Sequence, residues 1–513
     1  MEIRQDVPKY AKKNRNTSLQ KSMSILLIIC MLFALVACTN NNATQSDESS
    51  SSLPAESNTP PVSASPSVSA SPTPTQSVKT HESSIPLDLA AEYFDKVRAI
   101  WDEDDGKLWG VPLHAPLVFA DTITRHLVAD TQDPMGNLQR QGDVYVGVLP
   151  SSEDIYISAG NHSFWGLTWG MMPWDLVERA SGETDIIEVL VHESFHAIQD
   201  IVVGEKGYTV LPPHMEQVDA RISVMLELTA LMTAIKASGD ARKTAVHDAL
   251  AIRYERRRQN PGADGPENHV EVIEGLADFT DMMLLGRSRA EMLEILEEMI
   301  EDAAGKRQGL VLFGYISGAL YGLLLEDTGG DWKKGLTGKT DLGALLQTHM
   351  GISELSSFER VNLEAYGYSE IDRTQRVWME NYKTLEAGAE NALNHMPTQK
   401  ILSGDYFIEW ETAQIEQFFI PHEHLDYDTL VFYGDFTVIG SYWRLEMHGG
   451  YMREVFEYQL NQLRRGIEIG SAIDIEVFDD GTRAANPFWE LTLTSDNVMF
   501  KALPDGTVEI VRR

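Results

Sequence analysis

A chain of 513 residues is longer than one hydrophobic core organises, and its length points to about two to four folding units. Its 42 Lys and Arg stand against 77 Asp and Glu, a net charge of −35. Such a surface repels phosphate backbones, which excludes nucleic acid as a partner and suits solubility outside a cell.

The N-terminus carries its own signal. Arg4, Lys9, Lys12, Lys13, Arg15 and Lys21 precede an apolar run from Ser24 to Ala37. That run is too short for a comfortable permanent span but suits the apolar region of a signal peptide. It closes on Leu35-Val36-Ala37-Cys38, which resembles the bacterial lipobox. The resemblance implies that residues 1–37 are a lipoprotein signal peptide. Cys38 would then be lipidated and anchor the protein to the extracytoplasmic face of the cell membrane. The only other cysteine, Cys30, lies inside the signal. No disulfide framework, thiol catalysis or cysteine metal ligand is therefore expected.

Residues 38–84 are rich in Ser, Thr, Pro and Asn. Such a stretch cannot bury a core and reads as a disordered tether, stiffened by its prolines. Globular sequence follows from residue 85. A helix is predicted at Leu87–Trp101, then strands at Leu117–Ala120, Val144–Leu149 and Asp154–Ser158. The segment Asn161–Pro173 is aromatic and rich in glycine.

From Asp185 to Leu393 the apolar period becomes helical. Helices are expected over 185–203, with Thr184 or Asp185 as cap, and over 218–237, 245–258, 269–285, 290–303 and 313–327. Past Gln399 the period switches to two, in DYFIEW, EQFFI, TLVFYG, YWRLEM, AIDIEVF, WELTLT and NVMFKALPDGTVEIV. Asp505-Gly506 marks a hairpin turn. The expected fold class is α+β. It comprises a mixed N-terminal subdomain with an edge strand, a mainly helical core within residues 85–397, and an antiparallel, sandwich-like β domain over 398–513.

One stretch of the helical region stands out: EVLVHESFHAIQD. On a helix, residues four apart share a face, so His192 and His196 point the same way. Their spacing suits two nitrogens on one Zn²⁺. Glu193, between them, lies beside such an ion, where it can move a proton to and from a water. A zinc site that does chemistry needs a third protein ligand and one open position. Downstream, VEVIEGLADFTDM offers Glu271, Glu274 and Asp278, spaced by three and four residues. A continuous α-helix would stack all three on one face. Their flanks are apolar, and buried carboxylates need a cation or hydrogen-bond donors.

HESFH followed by a helix with EGLADF resembles the gluzincins, the thermolysin-like zinc peptidases, in particular a branch of bacterial HExxH lipoproteins. The resemblance spans roughly residues 110 to 335. It implies Zn²⁺ on His192, His196 and Glu274, with Glu193 as general base and then general acid. It also implies that Asp278 fixes the free ring nitrogen of His192. The strand before the first ligand helix would pair with an extended peptide substrate. Glu271 is an alternative third ligand or an acid behind the ligands. Tyr315 is either a core tyrosine or a group that polarises the substrate carbonyl.

Other residues have structural readings. Glu227, in an apolar helix, suits an ion pair with Arg221 or Arg253, or contact with a zinc histidine. The run Arg253–Arg258 suits a charge-pairing surface, and Ser317 and Gly318 suit close helix packing. Trp165, Trp169 and Met171 line either a cleft or the core. The expected activity is hydrolysis of peptide bonds in a peptide or protein by metal-activated water. The alternatives are an inactive binding module and a cell-wall amide hydrolase.

Overall fold

Apolar residues at Ala90, Tyr93, Phe94, Val97 and Trp101 give the first helix, α1 (Leu87–Asp104), a single buried stripe. It stops at Asp105, whose left-handed φ of 46° lets its N–H return to the Trp101 carbonyl. The stripe packs on a six-stranded sheet, with Phe94 stacked on Phe119 at 5.0 Å. In this computed structural model residues 85–513 are described, except 122–123, 151–158, 181, 205–212, 306–308, 356, 396–397, 403–405, 421–428, 441–442, 460–461, 471–475, 478–482, 487–488, 494–497, 503–507 and 513. The signal segment, Cys38, the tether, the strand expected at 154–158 and the turn at Asp505-Gly506 lie outside the described residues.

The strands of this sheet are β1 (Leu117–Ala120), β2 (His126–Ala129), β3 (Gln139–Gln141), β4 (Val144–Val148), β5 (Gly160–Phe164) and β6 (Leu167–Pro173). Their order is β3-β4-β2-β1-β6-β5, with β1 and β6 parallel and the other neighbours antiparallel. Side chains alternate across the sheet. Leu117, Phe119 and Met172 join the core shared with the helices, whereas Val118, Ala120, Trp169 and Met171 form a separate cluster on the far face. Trp169 and Met171 are thus core residues of the face turned away from the helices. β5 forms one edge of the sheet.

Asp130, at the end of β2, accepts the Leu117 N–H at 2.9 Å and has Arg98 3.9 Å away. Burial dominates and pushes its carboxyl up to about 6. A carboxyl raised on folding is neutral in the native state where the unfolded chain is charged. Stability is therefore unaffected below about pH 4, falls between about pH 4 and 6, and stays reduced above. Asp130→Asn should raise stability at pH 7.5 by about 2 kcal/mol and flatten that decline. Urea midpoints at pH 4.5 and 7.5 measure both effects.

The helices are α2 (Trp174–Arg179), α3 (Glu183–Val203), α4 (Val218–Lys236), α5 (Gly239–Gln259), α6 (Asp264–Val270), α7 (Leu276–Leu284), α8 (Arg289–Gly305), α9 (Gly309–Asp327), α10 (Leu342–His349) and α11 (Tyr368–His395). α3 is capped by Gly182, two or three residues earlier than the expected Thr184 or Asp185, and places Glu183 and Asp185 in its first turn. Both acids favour the positive end of the helix dipole. α11 was not separately legible. It docks on α4, where the Arg221 guanidinium lies 3.9 Å above the Trp378 ring and Arg221 Nε donates to Gln375.

The helix expected over 269–285 is not continuous. A π turn at Glu271–Gly275 separates α6 from α7. Glycines let α9 lie directly on it. A Cβ on Gly318 would fall 2.4 Å from the Glu271 carbonyl oxygen, and one on Gly275 would fall 2.4 Å from that of Gly314. The two backbones are in contact, and no side chain fits between them.

Among the described residues past 397, ten strands form one sheet. Its longest strands are β8 (Tyr406–Ile420), β9 (Thr429–Gly440) and β10 (Trp443–Gln459). The separate runs DYFIEW and EQFFI therefore lie on one strand. β10 pairs on one side with β14 (Trp489–Leu493) through 443–447 and β11 (Gln462–Gly470) through 452–459, and on the other with β9, where the register shifts at His448/Gly450. The pairing is antiparallel except between β16 (Val508–Arg512) and β7 (Thr398–Leu402). The fold class is α+β. Among the described residues no helix is long and apolar enough to cross a membrane.

Candidate metal centre

α3 and the π turn face each other across the site. His192 and His196 present their Nε2 atoms 3.1 Å apart. Glu274 Oε2 lies 3.3 Å from Nε2 of His196 and 3.8 Å from Nε2 of His192. The edges of a tetrahedron around zinc, at ordinary Zn–N and Zn–O distances, are about 3.3–3.5 Å. The three donor atoms are therefore already spaced as one face of such a tetrahedron.

The ring protons are assigned by the partners of the other nitrogens. His196 Nδ1 lies 3.0 Å from Gln199 Oε1, which can only accept. Gln199 is oriented by donating Nε2 to the carbonyls of Val272 and Ile273, at 3.0 and 2.8 Å. His192 Nδ1 lies 3.1 Å from Asp278 Oδ1. With Nδ1 of each ring engaged by an acceptor, Nε2 is the nitrogen left facing Glu274, and it is the one a metal would take from the neutral ring. The side chains of His192, His196 and Glu274 keep 13%, 12% and 12% of their accessible surface, so one side of the cluster stays open to solvent.

Charge tells the same way. Burial would raise the Glu274 carboxyl, but the imidazoles of His196 and His192 outweigh it and hold it below the usual carboxylate range. Burial pushes Asp278 and Asp281 upward, and Glu188 adds repulsion to both. Burial also works against a charge on His192, yet its bonds to Asp278, Asp281 and Glu274 raise its pKa well above the ordinary value. The buried oxygens Asp278 Oδ2 and Asp281 Oδ1 have no hydrogen-bond partner. Such a pocket has more negative than positive charge, and a divalent cation on Nε2, Nε2 and Oε2 would offset the excess. The donor set of two imidazoles and one carboxylate fits zinc.

Glu193 does not belong to this triangle. Its carboxylate accepts from Asn161 Nδ2 at 2.8 Å, and the same amide donates to the Glu193 carbonyl at 2.9 Å. Asn161 lies on the edge strand β5, so one side chain ties that strand to α3. β6 comes equally close: a Cβ on Gly170 would fall 3.3 Å from Glu193 Cβ. Tyr315, on α9, lies nearly parallel to the His192 ring, with centroids 6.2 Å apart, and is buried. It is packed in the core and also borders the site.

Glu271 lies elsewhere, and its position corrects the expectation of three carboxylates on one face. A π turn has about 4.4 residues per turn against 3.6 for an α-helix, so a three-residue step leaves two side chains roughly 115° apart instead of roughly 60°. Glu271 instead receives both Nη atoms of Arg253 at 2.6 Å and the Ser317 hydroxyl at 2.8 Å. Glu227 lies in the same network, bound by Arg253, Arg256 and the Tyr321 hydroxyl, and not by a ligand histidine. Arg253 and Arg256 are 0% and 1% exposed, so this part of the RYERRR run pairs charge in the interior and not on a surface.

Gln199, Asp281 and the Asn161 contact were not singled out from the sequence. Gln199 could have been, since it lies one turn beyond His196 on the ligand face of α3. No protein-family model matches the chain, and no curated protein or solved structure is significantly similar to it.

Proposed function

We propose that the protein is a lipid-anchored, extracytoplasmic zinc peptidase of the gluzincin type, attached through Cys38 and acting on peptides or proteins. The observation that carries this reading is the convergence of His192 Nε2, His196 Nε2 and Glu274 Oε2, with Glu193 on the intervening turn. When bound, zinc would acidify a water and polarise the scissile carbonyl. Glu193 takes the water's proton and passes it to the leaving amine. Asn161 holds the Glu193 carboxylate in place. The edge of β5 offers main-chain hydrogen bonds to an extended peptide. The Tyr315 hydroxyl, on the helix beside His192, supports the developing negative charge on the carbonyl oxygen.

Elemental analysis of purified protein tests the ligand set. Wild type should carry one zinc, and both His196→Ala and Glu274→Gln should lose it. Zinc retained in full by Glu274→Gln would remove that residue from the site.

One observation favours a second reading, in which the centre is inactive and the protein is a binding module. Glu193 is only 4% exposed and is already hydrogen-bonded to Asn161. A zinc-loaded wild type that turns over neither peptides nor muropeptides would establish this second reading.

A further inference from the structure

The geometry points to Asp281 as a second carboxylate positioning His192, braced through Arg287 and Glu188, and setting how tightly the centre holds its metal. This rests on reading the site as a metal centre. Asp278 and Asp281 lie three residues apart on α7 and so share a face. Both reach the same nitrogen: His192 Nδ1 is 3.1 Å from Asp278 Oδ1 and 3.6 Å from Asp281 Oδ2. One N–H can serve only one of them well.

A second buried acid there needs a reason, because Asp281 is 2% exposed and its Oδ1 has no hydrogen-bond partner. A residue needed only for packing would be apolar or amide at lower cost. Its surroundings supply the reason. Arg287, in the turn after α7, lies 3.7 Å from Asp281 Oδ1. The same guanidinium makes two hydrogen bonds to Glu188. Glu188 is one turn before His192 on α3. A closed circuit therefore runs from His192 through Asp281 and Arg287 to Glu188 and back along the helix. It locks α7 to α3 beside the ligand, and its extra negative charge makes the imidazole a stronger donor.

The test is zinc affinity, measured on the full chain in detergent by competition with a chromophoric chelator. Asp281→Asn preserves shape and removes charge. It should weaken zinc binding about 10–100-fold, with the melting temperature of the metal-free protein unchanged or higher. Arg287→Gln should weaken binding in the same direction by several-fold. Cobalt(II) loaded into Asp281→Asn should show a shifted visible absorption, because the donor strength of His192 has changed. Zinc affinity in Asp281→Asn equal to wild type would overturn the inference and leave the metal centre standing. A wild type that binds no zinc would overturn both. Should Asp281→Asn not fold, unchanged affinity in Arg287→Gln would still overturn the brace.

Discussion

Glu193→Gln should keep its full zinc content while kcat for peptide hydrolysis falls about 10²–10⁴-fold. The substitution preserves volume, and the glutamine oxygen still accepts the Asn161 amide that now reaches Glu193 at 2.8 Å. None of the three converging donor atoms is altered. What is lost is the base itself, since an amide takes no proton from water near neutral pH. Zinc content by elemental analysis and kcat on a peptide substrate, measured on one preparation, separate the two effects. A variant that turns over at the wild-type rate would remove Glu193 from the chemistry.

Arg253→Met should destabilise the protein by about 3–5 kcal/mol, the range expected when one partner of a buried ion pair is removed. Arg253 is fully buried and binds Glu271, Glu227 and Asn268, with Asp341 at 3.4 Å. The carboxylates of Glu227 and Glu271 are equally inaccessible. Without the guanidinium Glu271 keeps only the Ser317 hydroxyl and its charge is left in a dry interior, whereas Glu227 still holds Arg256 and the Tyr321 hydroxyl. The double variant Arg253→Met/Glu271→Gln should recover part of the loss, because it removes one orphaned charge. Urea midpoints followed by circular dichroism compare the variants. A single variant as stable as wild type would mean that the network contributes little.

What was legible in the sequence follows from what an α-helix dictates locally. The four-residue step from His192 to His196 sets the two rings on one face whatever the rest of the chain does. Most of the period-two runs past Gln399 marked strands because alternation survives any register, while AIDIEVF lies largely outside the described residues. Glu274 and Asp278 could be singled out through the resemblance carried by EGLADF. Asn161 and Asp281 were not legible because their roles depend on how β5 and α7 pack against α3, which no local period encodes. Glu271 was misplaced for a different reason. Its spacing from Glu274 was read with the pitch of an α-helix, and the winding there is wider. RYERRR misled because a run of cations suggests solvent, whereas the matching anions come from α4, α6 and the π turn.

The wider winding at Glu271–Gly275 acts as a phase shift within one continuous stretch of helix. Upstream of it, the rotation is keyed to the arginines of the interior. Downstream, it is keyed to the imidazoles. Removing a single residue there would restore regular pitch and rotate everything after it by about 100°. The acids behind His192 would then swing out of reach, although every one of them would still be present. In this stretch a change of length is therefore more damaging than most changes of side chain.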